Sequence, residues 1–191
     1  MWATLDPRMV YSSRYGWAAL RSAQPSASRL FLRLVLPFSL VPAIMLAYAG
    51  YVHGDVLAPG STLTQWGIAA ATFLVAELLT VPLMARLLHA MLGRAAPSPD
   101  ACFALAAYAA VPLWLSSLGL FSSSLFVVGI LAVAGLCAAF TTLFHGLAAY
   151  FDTQSDTLMS QYYAYAVLAA GLCAWLVLMA LLAVMLGILK A

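Results

Sequence analysis

One acid stands alone in a long apolar run. Glu77 falls between Trp66 and Val81, where the other polar side chains are Thr. A carboxylate near the middle of a membrane span costs a few kcal/mol or more, so it needs a partner or a wet cavity. Arg86 is nine residues on, about 13 Å along a helix axis, too far for an ion pair within one helix. Partners at similar depth are Tyr48, Tyr108 and Thr141 or Thr142 on other spans. Glu77, Tyr108 and Thr141 therefore form a candidate intramembrane polar site. It reads either as a proton- or ion-linked site or as a structural acid hydrogen-bonded between helices.

A second candidate lies toward the cytoplasmic helix ends, where Arg86, His145 and Asp152 can gather into a polar cluster, with His89 nearby. The alternatives there are an arginine snorkelling to the interface and a histidine bonded within its own helix bundle. Other chemistries are absent from the pattern. The chain has no Gly-rich phosphate loop, no His-Glu-x-x-His pair and no Gly-x-Ser-x-Gly elbow. Its Asp residues lie in loops or at helix ends, unlike the embedded pair of an aspartyl protease. Cys102, Cys137 and Cys173 sit within or beside apolar stretches without metal-ligand spacing, as small packing residues do. The expectation is a protein that is not an enzyme and uses no cofactor or metal.

The elements that must position these groups follow from composition. Residues of the AVILMFWYC set make up 65% of the chain and charged residues 7%. Soluble domains carry roughly 25% charged residues, so lipid must be the solvent over most of this chain. The fold class is an all-α polytopic membrane helix bundle with five transmembrane helices, at about 34–53, 66–90, 101–120, 124–149 and 162–189. Residues 53–65 and 93–100 have loop composition, Phe121 to Ser124 forms a tight turn, and 151–161 is a polar loop. Asp100 is placed to cap the third span.

Charge sets the orientation. Arg8, Arg14, Arg21, Arg29, Arg33, Arg86 and Arg94 all lie on one side if the N-terminus is cytoplasmic, leaving only Lys190 outside. The positive-inside rule then gives N-in, C-out. Residues 1–33 form a basic cytoplasmic or interfacial segment ahead of the 34–191 transmembrane domain. Within it, Met9, Val10, Trp17 and Leu20 interleave with Arg8, Arg14 and Arg21, the pattern of an interfacial amphipathic helix among anionic headgroups. The bland alternative is a tail with scattered aromatics. No run of basic residues suggests nucleic acid as a partner.

Three Val-Pro pairs, at Pro42, Pro82 and Pro112, fall inside apolar spans and should kink or break them. Gly129, Ala132 and Gly135, and Ala166, Ala170 and Ala174, form small-residue stripes that let helices approach, within the chain or in a homo-oligomer.

Tyr108-Ala-Ala-Val-Pro112-Leu in the third span and Phe144-His-Gly-Leu147 ending the fourth resemble the Yip (Ypt-interacting protein) family, specifically its bacterial branch of five-helix inner-membrane proteins. The proline-containing first span after a short basic segment fits the same layout. The resemblance implies a bacterial inner (cytoplasmic) membrane protein without an assigned reaction. Eukaryotic members are associated with Rab-type GTPases. The chain lacks their long acidic N-terminal region and their Asp-Leu-Tyr-Gly-Pro-type motif, so Rab binding does not transfer. The role expected is a membrane interaction or scaffold protein with an unknown membrane-protein partner. The rival is a small transporter or channel subunit built on Glu77 and the kinked helices.

Overall fold

The computed structural model describes residues 13–92, 97–150, 171 and 174–186. The described residues form helices α1 (Ser13–Ala23), α2 (Ala27–Leu57), α3 (Leu63–Leu92), α4 (Pro99–Phe121), α5 (Leu125–Tyr150) and α6 (Ala174–Met185). Four of them, α2 to α5, are long and apolar enough to cross a membrane. The last expected span, 162–189, is described only at Gly171 and over 174–186, and Arg8 and Asp152 lie outside the described residues.

The first long helix is longer at both ends than its apolar stretch. It begins at Ala27, where the Ala27 N–H donates to Asp100 Oδ1 at 2.8 Å. Asp100 thus serves the neighbouring helix, while Ser98 Oγ caps α4 by accepting from the Ala101 N–H at 3.2 Å. The expected Asp100 cap is corrected to Ser98. A carboxylate between two helix N-termini meets orphan N–H groups and favourable dipoles from both. At the other end, residues 53–57 are helical rather than loop. His53 Nε2 meets the Phe121 carbonyl at 3.1 Å, and Leu57 is buried, which holds the extra turn in place.

The prolines do not end their helices. Pro42, Pro82 and Pro112 all lie inside continuous helix. Ahead of Pro37 the backbone widens over Phe31–Val35 into a turn with i→i+5 bonds, which makes room where a proline removes an N–H and crowds the preceding turn. After Pro112, α4 tightens over Ser117–Phe121 into 3-10 geometry. Ser116 and Ser117 each donate a hydroxyl to a carbonyl three residues back, at 2.7 and 2.6 Å. The short turn to α5 is closed by the Ser122 N–H on the Gly119 carbonyl at 2.9 Å.

The loop between α2 and α3 uses Gly60 at φ +84° to turn the chain. Thr62 and Gln65 then form a reciprocal capping box. The Thr62 N–H donates to Gln65 Oε1 at 2.7 Å and the Gln65 N–H to Thr62 Oγ1 at 3.2 Å.

Large side chains lock the bundle where glycines receive them. A Cβ at Gly50 would collide with the Trp66 side chain, whose indole N–H donates to Ser61 Oγ at 2.8 Å. A Cβ at Gly146 would come within 2.8 Å of Trp17 on α1 and would also meet Leu105. Trp17 and Leu20 are covered by the bundle, and Arg21 is exposed. Gly135 approaches Ser116 and the Pro112 carbonyl, but Gly129 in the same stripe has open space around it. Ala166 and Ala170 lie outside the described residues.

The last helix runs antiparallel to α5 and against α3. Gly171 approaches Met84, Leu182 and Leu186 pack with Trp66 and Phe73, and Gln65 Nε2 donates to the Met185 carbonyl at 3.4 Å. Helix α5 is the least covered of the long helices. Only 11% of its apolar stretch is buried, against 33–39% for the other three.

Candidate functional site

Glu77 has a partner, and it is Trp114. The indole Nε1–H of Trp114 donates to Glu77 Oε2 at 3.0 Å. Trp114 is fully buried, and a buried indole needs an acceptor. The carboxyl group supplies it and is itself relieved of one unmade hydrogen bond. Each residue thus answers the other's need.

The pairing follows from the antiparallel register of α3 and α4. Their near ends are tied where His89 Nδ1 meets the Pro97 carbonyl at 3.2 Å and Cys102 Sγ at 3.9 Å. Going twelve residues back from His89 to Glu77, and twelve forward from Cys102 to Trp114, the two helices stay in step, about 18 Å deeper. Tyr108 stops six residues short of Trp114, about 9 Å away along the axis. Its ring lies edge-on to Trp17 at 6.0 Å between centroids, on the side of the bundle held by α1.

The other candidates are placed elsewhere. Thr141 is exposed and donates to the Cys137 carbonyl of its own helix at 2.8 Å, as Thr142 does to Ala138 at 2.8 Å. Tyr48 packs edge-on against His53 and Phe121 at the far end of the bundle. Glu77, Tyr108 and Thr141 are not brought together. Of the second cluster, Arg86 is exposed on α3, while His145 is exposed on α5 with Nδ1 at 2.8 Å from the Thr141 carbonyl. No hydrogen bond or ion pair joins Arg86 to His145 among the described residues.

Beside the Glu77–Trp114 pair lies a cavity of about 590 Å³ between α3, α4, α5 and α6. Its walls are almost entirely apolar, with Ala106, Ala109, Ala110 and Ala139 interspersed among leucines, and Phe140 and Trp175 supply aromatic faces. Glu77 is the one charged residue among its described lining residues. The second carboxyl oxygen has no hydrogen-bond partner among the described residues. Thr80, also in the wall, spends its hydroxyl on the Ala76 carbonyl at 2.6 Å. A second cavity of about 210 Å³ continues toward Trp66 and Phe73, sharing Leu113 and Trp175 with the first. Sequence reasoning found Glu77 and missed both Trp114 and the cavity. The available signal was the register of an antiparallel hairpin, counted from the short 93–98 connection rather than from span midpoints.

The two ends of the bundle differ in charge. Arg21, Arg29, Arg33 and Arg86 are all exposed and lie toward the end where Asp100 joins α4 to Ala27. The end holding His53 and the α3 capping box carries Asp55 as its exposed charge among the described residues. Among these residues no group of three or more His, Cys, Asp or Glu is arranged to hold a metal ion.

No curated protein and no solved structure matches this chain. A family model, the Yip1 domain, matches residues 6–178, which takes in all four long helices and the Glu77–Trp114 pair. The chain belongs to the Yip1 family.

Proposed function

We propose that this protein is a non-catalytic interaction protein of a bacterial inner membrane, a scaffold whose partner docks on its basic end. The observation that carries the reading is the collection of Arg21, Arg29, Arg33 and Arg86 at one end of an otherwise apolar bundle. Such an end faces the cytoplasm under the positive-inside rule and meets anionic headgroups, at Arg8, Arg14 and Arg21 first, or an acidic partner surface. The N-terminus is then cytoplasmic. The path of α6 back along α3 supports a fifth crossing and an outside C-terminus. In this reading residues 1–33 are the cytoplasmic or interfacial segment and 34–191 the membrane domain.

Gentle purification of the full chain from native membranes, with mass spectrometry of what co-migrates, tests the scaffold. A stoichiometric partner that is lost when Arg8, Arg14 and Arg21 are replaced by Gln supports it. A lone monomer or homo-oligomer, unchanged by those replacements, would sink it.

The cavity at Glu77 favours a second reading, a small transporter or channel subunit. Lost or altered proton or ion flux in reconstituted Glu77→Gln protein would support that reading, and unchanged flux would remove it.

A further inference from the structure

We infer that the cavity between α3, α4, α5 and α6 binds a lipophilic monocation, an amine or quaternary onium with an apolar body, with its charge against Glu77. The inference deepens the transporter reading of the cavity and is independent of partner docking at the basic end. Its volume of about 590 Å³ falls within the ~300–1,000 Å³ of small-molecule sites. The walls choose the body of the ligand, since alanines, leucines and the rings of Phe140 and Trp175 offer apolar contact and faces for a cation.

Glu77 chooses the charge. Trp114 engages only Oε2, and the described lining contains no cationic residue to answer the carboxylate. Ionised Glu77 repels an anion, and a neutral apolar molecule gives no compensation for ionising the acid in a medium of low dielectric, whereas a cation does. A small inorganic cation needs more oxygen ligands than one carboxylate provides, and no metal-holding group occurs among the described residues. A large cation with diffuse charge is weakly hydrated, so it sheds water at low cost and keeps the Coulomb gain.

The test uses the full chain in a non-ionic detergent, with tetraphenylphosphonium as probe and tetraphenylborate as its anion of matching shape. Equilibrium dialysis should show saturable binding of the cation and at least about tenfold weaker binding of the anion, a difference of about 1.4 kcal/mol. Glu77→Gln keeps a carbonyl to accept from Trp114, so the fold should survive, as circular dichroism and gel filtration would confirm. That variant should lose tenfold or more in cation affinity and lose the preference over the anion. Ala139→Leu fills the cavity without touching the charge and should weaken the cation by a similar factor.

Equal binding of both probes, cation affinity unaffected by either substitution, or no saturable binding by the parent protein would each overturn the proposal. Proton or ion flux that still responds to Glu77→Gln, without cation binding, would overturn the ligand class and leave the transport reading standing.

Discussion

Two regions of the bundle use small residues in opposite ways. Between α2 and α3, and again between α5 and α1, a glycine faces a large ring. Gly50 receives Trp66, and Gly146 receives Trp17. Between α3, α4, α5 and α6, Ala106, Ala109, Ala110 and Ala139 border a common space that no large side chain among the described residues fills, leaving the cavity. Small residues therefore bring helices together only when something large enters the gap, or when backbone meets backbone as at Gly135 and Pro112. Polar contacts divide by helix. The contacts of α4 with α2 and α3 carry the Asp100–Ala27, His89–Pro97 and Trp114–Glu77 hydrogen bonds, the last at the edge of the cavity. On α5, Thr141 and Thr142 bond only within their own helix.

Substitutions in the two regions should separate sharply. Gly50→Leu forces a side chain into Trp66 and should cost about 3 kcal/mol, read as a lower midpoint in unfolding from mixed micelles. An unchanged midpoint would mean that the tryptophan moves freely and the packing is not tight there. Trp114→Phe shortens a fully buried ring system and removes the one donor to Glu77 among the described residues, and should cost about 2–3 kcal/mol. Glu77→Gln, which keeps an acceptor, should cost clearly less than Trp114→Phe. The reverse order would show that the carboxyl group is held by something other than the indole.

In the loose region, Ala139→Leu should be tolerated within about 1 kcal/mol, because its added methyl groups enter existing space. A loss as large as that at Gly50 would contradict the contrast. Smallest of all, Gly129→Ala meets nothing within 4 Å and should gain up to about 0.5 kcal/mol from helix propensity alone. Cross-linking that shows Gly129 at a homo-oligomer contact, with a loss on substitution, would restore the expectation of a packing stripe across residues 129–135.

The family resemblance and the structure meet in the same residues. Within Tyr108-Ala-Ala-Val-Pro112-Leu, Ala109, Ala110 and Leu113 form cavity wall, and the Pro112 carbonyl is where Gly135 closes on α4. In Phe144-His-Gly-Leu147, Gly146 is the socket for Trp17. The motifs pointed to the family, but their alanines gave no sign of facing a cavity, because an alanine suits a close contact and an empty wall equally well.

What the sequence by itself determined was the solvent, the helical class and the separation of charge. Four long apolar helices follow from hydropathy, since a backbone in lipid must satisfy its hydrogen bonds internally. Arg21, Arg29, Arg33 and Arg86 collect at one end because span lengths and loop positions leave them nowhere else. Partnership was decided by tertiary structure. Depth estimated from span midpoints put Tyr108 level with Glu77, whereas the register of the α3–α4 hairpin brings Trp114 there. Asp100 looked like the cap of its own helix, and only the adjacency of two helix N-termini turned it toward Ala27. A hydrogen bond depends on positions within about 3 Å, while hydropathy resolves a helix only to a turn or two.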